Sequence, residues 1–332
     1  MLQTIINWLR IFRAQTAAAV FMLVMIPYLL AGGNLFSWYS LTLGVWSFLA
    51  HHMAFGHNTV MDTLMGWDIM DENKLHHPLV ANMIKKETAL KIISIGIVIS
   101  TIIAIFLVHY SNGNQFYAMS FLALFLIGGM IYNSGISKVS IWDVIPISLC
   151  FTSLSLYSYF LVAKEFNELI ILIALYIILL QWFEIGVEGE IKEIELKNEI
   201  NLLTKLGVKF DGNTFEMGKS IIYPWALKLA GLGVGGFIIY KYTYNITTVI
   251  LFVLFVFLAF YFCFELTKKR IWNRIKAVRD MAFEEIITIF LLPVILIPLI
   301  GLKEVIIILV IAFLYFVGMN SLLWKTRFAP RV

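Results

Sequence analysis

Hydrophobic residues in this chain form long, nearly unbroken runs that are separated by short polar segments. A helix needs roughly 20 mostly apolar residues to cross the hydrocarbon core of a bilayer. Ten runs of about that length are predicted to be membrane-spanning helices. They lie near residues 14–33, 37–57, 90–108, 116–134, 141–162, 168–187, 221–240, 246–266, 283–301 and 304–323. The last two runs are divided only at Gly301, Leu302, Lys303 and Glu304, so these form either a tight helical hairpin or one span and a re-entrant segment.

The composition agrees with this pattern. Hydrophobic residues make up 61% of the 332 residues and charged residues 14%, whereas a soluble domain is nearer one half and one quarter. An interior of this chain length cannot hold the excess. This excludes a soluble enzyme, a disordered chain and a nucleic-acid-binding protein. We expect an all-α integral membrane protein in which residues 1–332 form one domain, a bundle of nine to ten transmembrane helices around a central cavity that opens to the cytoplasmic side.

The distribution of Lys and Arg predicts the orientation of the bundle. Every second connection is rich in them, whereas the alternate connections hold only Lys164, Lys241 and Lys303. Because cytoplasmic loops carry the excess of positive residues, ten spans would place both termini in the cytoplasm and the protein in the cell membrane. The long, charged connections are near residues 58–89, 188–220 and 267–282. We therefore expect the functional site on the cytoplasmic side.

An acidic cluster follows the second predicted span, in the sequence GHNTVMDTLMGWDIMDENKLHHPLV. Asn58 and Asp62 are four residues apart and so share one face of the helix. Asp68 follows Gly66 in a predicted loop. Carboxylate and amide oxygens suit Mg²⁺, which commonly uses one or two carboxylates to hold a phosphate. The cluster therefore suggests a phosphorylated ligand, although an acidic loop that is merely solvated is an alternative interpretation.

A second acidic cluster lies at the end of the sixth predicted span. Glu184 and Glu188 are again four residues apart, and Glu184 lies within an apolar run, where an ionisable group is by default a functional-site hypothesis. The alternating charges that follow are typical of an exposed amphipathic helix. A solvated face is therefore predicted for Glu190, Glu193, Glu195 and Glu199. The two clusters can face each other across a cavity, each holding one Mg²⁺, with one diphosphate between the two ions.

The first cluster resembles that of the UbiA superfamily of intramembrane prenyltransferases. Its pattern N-x-x-x-D-x-x-x-G-x-D is closest to the MenA-like branch, the 1,4-dihydroxy-2-naphthoate prenyltransferases, and is matched by Asn58, Asp62, Gly66 and Asp68. The family often has a Tyr, a Lys and an acidic residue between its fourth and fifth spans. Tyr132, Lys138 and Asp143 resemble these. The second family motif normally has Asp at steps of four, where this chain has Glu, and nine spans are usual.

The resemblance implies Mg²⁺-dependent transfer of a polyprenyl group from an isoprenyl diphosphate to an aromatic quinone precursor within the membrane. It assigns one metal ion to Asn58, Asp62 and Asp68 and the other to Glu184 and Glu188, the four carboxylates being the expected catalytic residues. Lys138 is expected to contact the diphosphate, and Tyr132 to orient the acceptor. Further candidates for substrate contact are Asn58, Lys74, His76 and His77.

Alternative functions stay open at this point. The acceptor can instead be a glycerol-phosphate lipid, a 4-hydroxybenzoate-like compound or a tetrapyrrole. A multispan transporter that uses intramembrane acids for ion coupling is a different class, for which acids near span midpoints and an inverted repeat are expected. A third possibility is the same fold without transfer activity, or with cyclisation of the isoprenoid. In each case the surrounding partner is membrane lipid, and no nucleic acid is expected.

Overall fold

The computed structural model describes residues 1–135, 143–195 and 202–324, in which every predicted hydrophobic run coincides with a helix. The long helices are α2 (Ala17–Leu30), α3 (Trp38–Leu64), α5 (Lys86–His109), α6 (Gln115–Asn133), α7 (Val144–Phe160), α8 (Glu168–Phe183), α11 (Ile222–Ile238), α12 (Ile246–Thr267), α13 (Arg274–Ile295) and α15 (Leu302–Trp324). The shorter helices are α1 (Leu2–Ile11), α4 (Trp67–Met70), α9 (Glu190–Lys192), α10 (Leu202–Lys205) and α14 (Ile297–Ile300).

Six helical stretches in the described part of the chain are long and apolar enough to cross a membrane. They are Lys86–His109, Gln115–Asn133, Glu168–Lys192, Gly218–Thr243, Ile246–Thr267 and Leu302–Trp324. A seventh span is added if the bent pair Leu2–Ile11 and Ala14–Leu30, with an angle of 61° between its helices, crosses the membrane as one unit. The apolar helix α7 is shorter than these six stretches. The protein is therefore a multi-pass membrane protein, and the number of nine or ten crossings stays a prediction.

The outer surface of the bundle is apolar. On α12 the exposed large side chains repeat every three or four residues and so form one stripe; they are Ile250, Leu254, Phe257, Tyr261 and Phe264. A continuous apolar face of this kind is unfavourable in water but fits lipid. By contrast, α2 lies at the centre of the bundle, because nearly all of its side chains are buried and it packs against α3, α7 and α15.

A small antiparallel sheet outside the apolar bundle joins two of the long connections. Its strands are β1 (Lys209–Phe210), β2 (Thr214–Glu216) and β3 (Arg270–Ile271), in the order β1-β2-β3. Phe215 is fully buried beneath it and is paired with Phe210 on one side and Arg270 on the other. This sheet was not predicted, because strands of two or three residues have no readable hydrophobic period.

The connection predicted over residues 267–282 is much shorter than expected. Helix α13 begins at Arg274 because the side chain of Asn273 caps it, accepting a hydrogen bond from the backbone N–H of Lys276 at 2.9 Å. Charged residues that suggested a loop therefore form the first turns of a helix. The guanidinium of Arg274 lies within ion-pair distance of Asp71 and Glu195, so the connections after α3, α9 and α12 meet at one end of the bundle.

Candidate functional site

A cavity of about 270 Å³ lies at the end of the bundle where these connections meet. Helices α2, α3, α6, α8 and α13 contribute to its wall, and so does the connection after α3. Among the described residues, the carboxylates that line it are Asp62, Asp143, Glu184, Glu188, Glu190, Glu193 and Glu285. The lysine and arginine side chains that line it are Arg13, Lys74 and Lys192. Acids near the end of α3 and from the turn that follows α8 therefore line one cavity.

The first predicted pair projects from the last two turns of α3. Asn58 is 7% exposed and Asp62 4%, and both line the cavity. Their spacing of four residues places them one above the other on the helix. The helix ends just beyond them, at Leu64, and Gly66 adopts the left-handed conformation with φ of 87°. The chain thereby turns back towards the bundle, which brings Asp68 and Lys74 close to the same end of α3.

Asp68 is placed differently from the other predicted metal ligands. Its carboxylate is 2% exposed but is absent from the cavity wall; it accepts hydrogen bonds from Lys74 Nζ at 2.7 Å and from Thr63 Oγ1 at 3.3 Å. Burial raises the pKa of Asp68, but the charge and hydrogen bond of the Lys74 ammonium outweigh this, and the pKa lies below its ordinary value. Asp68 therefore holds Lys74, whose side chain lines the cavity.

The second predicted pair lies on a widened turn. Helix α8 continues into a π-helical turn at Glu184–Gly189 and then into α9. A π turn has i→i+5 hydrogen bonds and more residues per turn than an α-helix, and it is common at functional sites. It shifts the register of the residues that follow relative to a continuous α-helix, and Glu190 and Glu193 also line the cavity. The prediction of a solvated face is wrong for Glu190, whose carboxylate is buried and accepts a hydrogen bond from Leu202 N at 2.8 Å. Glu193 is partly exposed and Glu195 exposed, and Glu199 lies outside the described residues.

Glu188 has the least satisfied carboxylate in the described part of the site. It is 2% exposed, and neither of its oxygens has a hydrogen-bond partner. Glu184 accepts a hydrogen bond from Gln181 Nε2 at 2.6 Å through Oε2, while Oε1 is buried without a partner. A buried charge without a partner is strongly unfavourable. These oxygens therefore fit the donor set of a hard divalent cation such as Mg²⁺.

No three Asp, Glu, His or Cys side chains within residues 1–135, 143–195 and 202–324 are placed to hold one metal ion together. Sites for Mg²⁺ in proteins commonly use only one or two carboxylates, with water and phosphate oxygens as the other ligands. Asn58 and Asp62 on one side of the cavity, and Glu184 and Glu188 on the other, are compatible with that mode of binding.

Two acids on α13 and a lysine on α11 were not among the residues predicted from the sequence. Glu285 lines the cavity. Its neighbour Glu284 is fully buried, forms an ion pair with Lys228 and accepts a hydrogen bond from Thr288 Oγ1 at 2.7 Å. The Lys228 ammonium also lies 3.5 Å from the ring centroid of Phe183, one residue before the π turn. The rule that identified Glu184, an ionisable residue within an apolar run, applies equally to these residues.

Arg13 reaches the cavity because of the backbone between the first two helices. It adopts the left-handed conformation, with φ of 47° and ψ of 46°, at the sharp bend that precedes α2. A non-glycine residue in this region is uncommon and often marks a functional position. No sequence pattern indicated this bend, since arginine before an apolar run is most simply explained by the positive-inside rule.

The other predicted substrate contacts are distributed unevenly. Tyr132 lines the cavity. Lys138 lies outside the described residues. His76 is exposed, with its ring edge against Trp324 at 6.1 Å between centroids. His77 is half-buried, lies outside the cavity wall and accepts a hydrogen bond from Leu79 N through Nδ1 at 3.4 Å.

An apolar pocket of about 110 Å³ shares part of its wall with the polar cavity. It lies among α3, α6 and α7, where Phe125, Cys150 and Leu154 line its apolar part. His51 and Asn58 belong to both walls. The arrangement can hold a molecule with a charged end in the polar cavity and an apolar end in the pocket.

Comparisons with solved structures identify the fold. The chain resembles a structure from a study of digeranylgeranylglyceryl phosphate synthase in membranes, with a TM-score of 0.55 and 18% identity over 95% of this chain and 98% of that one. It also resembles a UbiA homologue from Archaeoglobus fulgidus, bound to GPP and Mg²⁺ (TM-score 0.58, 14% identity) or to DMAPP and Mg²⁺ (0.59, 13%), over 87% of this chain and 99% of that one. No family model and no curated protein matches the sequence. At these identities the likeness establishes a shared membrane fold.

Proposed function

We propose that the protein is a prenyltransferase of the UbiA type, which transfers a polyprenyl group from an isoprenyl diphosphate to an acceptor within the membrane. The observation that carries this proposal is the convergence of Asp62 and Glu188, from helices distant in the chain, on one cavity that adjoins an apolar pocket. The partnerless carboxylate oxygens of Glu188 add to it, because they fit a cation. The shared fold with a UbiA homologue that binds GPP and Mg²⁺ supports the same function.

The charged end of the substrate is assigned to the polar cavity. Magnesium ions held by Asn58 and Asp62 on one side and by Glu184 and Glu188 on the other would supply neutralising charge to the diphosphate leaving group. The cationic side chains that line the cavity bind further diphosphate oxygens; they are Arg13, Lys74 and Lys192. Asp68 keeps Lys74 in place through their ion pair. Lys138 stays a further candidate for this contact.

The isoprenoid chain is assigned to the apolar pocket. Loss of diphosphate leaves an allylic cation, which water would quench, and a pocket lined by Phe125, Cys150 and Leu154 excludes water from it. The same side chains also contribute dispersion contacts along the isoprenoid. The membrane supplies the substrate directly, since both isoprenoid and acceptor partition into lipid.

We assign an aromatic quinone precursor, such as 1,4-dihydroxy-2-naphthoate, as the acceptor. The spacing of Asn58, Asp62, Gly66 and Asp68 resembles that of the MenA-like branch. The rings of Phe55, Tyr132 and Phe151 line the polar cavity and offer stacking surfaces for a planar acceptor. A glycerol-phosphate lipid is the second candidate, because the likeness to the structure associated with digeranylgeranylglyceryl phosphate synthase extends over nearly the whole of both chains.

We also propose that the cavity end of the bundle faces the cytoplasm, with both termini on that side. Arg10 Nη2 donates a hydrogen bond to Leu323 O at 2.7 Å, so the first and last described helices end together. Asn7 Nδ2 contacts Met83 Sδ at 3.6 Å, which places α1 beside the connection after α3. The positive residues of the connections at this end then follow the positive-inside rule of a cell membrane.

The proposal is tested with the purified protein in lipid nanodiscs. Labelled geranylgeranyl diphosphate and Mg²⁺ are incubated with 1,4-dihydroxy-2-naphthoate, 4-hydroxybenzoate or geranylgeranylglyceryl phosphate, and the labelled lipid is identified by mass spectrometry. We expect transfer that chelation of Mg²⁺ stops and that Asp62→Asn abolishes, while Glu87→Gln, which removes an exposed carboxylate, leaves it unchanged. Absence of transfer to all three acceptors, or transfer that persists in excess chelator, contradicts the proposal.

A further inference from the structure

His51 is a buried imidazole at the junction of the polar cavity and the apolar pocket. It lies on α3, about two turns before Asn58, is 2% exposed and belongs to the walls of both spaces. Its ring stacks on Phe55, with centroids 4.2 Å apart and planes inclined by 24°. The side chain is therefore fixed in orientation, and the predicted site does not include it.

The hydrogen bonds of one ring nitrogen determine the tautomer of His51. Nε2 lies 3.2 Å from the carbonyl oxygen of Arg13 and 3.2 Å from Thr16 Oγ1. The Thr16 hydroxyl donates its own hydrogen to the same carbonyl at 2.9 Å. A carbonyl oxygen only accepts hydrogen bonds, so Nε2 carries the hydrogen of His51. Nδ1 therefore bears a lone pair, and this atom is buried with no hydrogen-bond partner.

We propose that Nδ1 of His51 accepts the proton that the acceptor loses during transfer, an inference that rests on the proposed function. The C1–O bond of the isoprenyl diphosphate breaks, and its electron pair leaves with the diphosphate. A nucleophilic oxygen or ring carbon of the acceptor forms a bond to C1, and its proton passes to Nδ1. The resulting imidazolium of His51 then returns the proton to the released diphosphate or to water.

The position of His51 agrees with this role. With the diphosphate in the polar cavity and the isoprenoid chain in the apolar pocket, C1 lies where the two spaces meet, and the acceptor must reach it there. His51 is one of the few polar side chains in both walls. No carboxylate of the described residues lines the apolar pocket; those assigned to cations line the polar cavity alone.

Charged and titratable groups surround His51 on several elements. Arg13 approaches from the bend before α2, His52 from the same helix and Tyr132 from α6, while Asp62 and Glu184 line the shared polar cavity. Arg13 disfavours an imidazolium beside it. The negative charge of the departing diphosphate acts in the opposite direction, so proton transfer to His51 becomes favourable as the C1–O bond breaks.

The neighbouring His52 provides a matched control. One of its ring nitrogens, Nδ1, contacts the carbonyl oxygen of Phe48, and Nε2 lies 3.4 Å from the hydroxyl of Tyr315. Both nitrogens therefore have protein partners, and His52 is absent from the walls of the cavity and of the apolar pocket. It is a partly buried histidine on the same turn of the same helix, but without the free lone pair.

The test compares His51→Gln with His52→Gln in nanodiscs, using whichever of dihydroxynaphthoate and geranylgeranylglyceryl phosphate the wild-type protein prenylates. In His51→Gln the introduced amide can still donate to the carbonyl oxygen of Arg13 but has no basic lone pair. We expect kcat to fall about 100-fold or more in His51→Gln, with loss of the ascending limb of its pH profile. Binding of the unreactive geranylgeranyl thiodiphosphate should be unchanged, and His52→Gln should keep its kcat and pH profile.

A second variant, His51→Ala, keeps the test decisive if His51→Gln does not fold. His51→Ala leaves a space for an added imidazole, which should restore transfer in proportion to its basicity. Three outcomes would each overturn the assignment. The first is an undiminished kcat in His51→Gln, and the second is a loss of thiodiphosphate binding in His51→Gln as large as its loss of kcat. The third is a His51→Ala variant that still binds the thiodiphosphate but is not rescued by imidazole. A wild-type protein that transfers to no acceptor instead contradicts the proposed function.

Discussion

Arg274 and Asp71 form a two-point ion pair although they are 203 positions apart in the chain. Nη2 lies 2.8 Å from Oδ2, and Nη1 lies 3.4 Å from Oδ1. Nη1 is also 3.4 Å from Oε2 of Glu195, whose other oxygen accepts a hydrogen bond from the Trp272 indole. One guanidinium thus joins the connection after α3, the segment after α9 and the first turn of α13, around the polar cavity.

Loss of this ion pair should loosen the cavity end of the bundle. Arg274 is 9% exposed and Asp71 2%, so Arg274→Met takes the guanidinium away from a buried carboxylate, at a cost of about 3 kcal/mol. We expect a lower unfolding temperature and faster proteolysis within residues 188–220. Lys85→Met is the control, because Lys85 is an exposed cation in the connection after α3. If Arg274→Met is as resistant to protease as Lys85→Met, the ion pair does not restrain these connections.

Glu188 should destabilise the protein when no cation is present. Its carboxylate is buried without a partner, so Glu188→Gln should raise the unfolding temperature measured in chelator. Bound Mg²⁺ stabilises the wild-type protein by an amount that rises with the ratio of Mg²⁺ concentration to Kd. This increase in unfolding temperature should be smaller in the variant, and transfer activity should be lower. A Glu87→Gln variant provides the reference. An increment from Mg²⁺ that is identical in wild type and Glu188→Gln removes Glu188 from the metal site.

Lys228 and Glu284 should depend on each other. Their ion pair is almost completely buried between α11 and α13, so Lys228→Met alone leaves a buried charge and should cost about 3 to 5 kcal/mol. The double variant Lys228→Met/Glu284→Gln should recover much of this loss, which thermal unfolding of all four proteins in one detergent measures as a coupling energy. Additive effects of the two substitutions would show that the pair does not stabilise the bundle.

His77 should make the connection after α3 sensitive to acid. Burial lowers the pKa of His77 to about 4, although the charge of Asp68 acts in the opposite direction, whereas the ordinary value is 6.5. Between pH 6.5 and 4 the unfolded chain therefore binds a proton that the folded chain does not, and the free energy of unfolding decreases as the pH falls through this window. Above pH 6.5 this contribution is complete.

The measurement is the unfolding temperature of wild type, His77→Gln and His76→Gln between about pH 7.5 and about pH 4.5, which spans most of this window. The decrease on acidification should be smaller in His77→Gln than in the wild type. His76→Gln removes an exposed neighbouring imidazole and should follow the wild type. An equal decrease in all three proteins would assign the acid sensitivity to other groups.

The sequence allowed prediction of the helices and of one side of the site. Long apolar runs predict spanning helices because lipid requires each backbone polar group to be satisfied within its own segment, and all ten runs are helical where the structure describes them. Asn58 and Asp62 meet the cavity because α3 continues as a regular helix past both of them. In that case the spacing of four residues was sufficient information.

The remaining features depend on backbone geometry and on distant contacts. The π turn at Glu184–Gly189 changes which residues face the cavity. The spacing of hydrophobic residues does not indicate where i→i+5 hydrogen bonds replace those of an α-helix. The left-handed conformation of Arg13 is likewise a backbone feature that no residue pattern indicates. The burial of Asp68 behind Lys74 depends on the turn at Gly66, whose direction cannot be read from residue spacing alone.

The widened turn at the end of α8 has a consequence for how this surface tolerates insertions and deletions. An α-helix becomes a π turn when one residue is added, so removal of a single residue within Glu184–Gly189 would let the backbone relax into an ordinary helix without breaking the chain. The extra residue is accommodated within the widened turn, so the segment beyond it would keep its orientation, and Glu190 and Glu193 would still face the cavity. A length change of one residue here would therefore change the oxygen donors within the turn alone, while leaving the lipid-facing exterior of the protein intact.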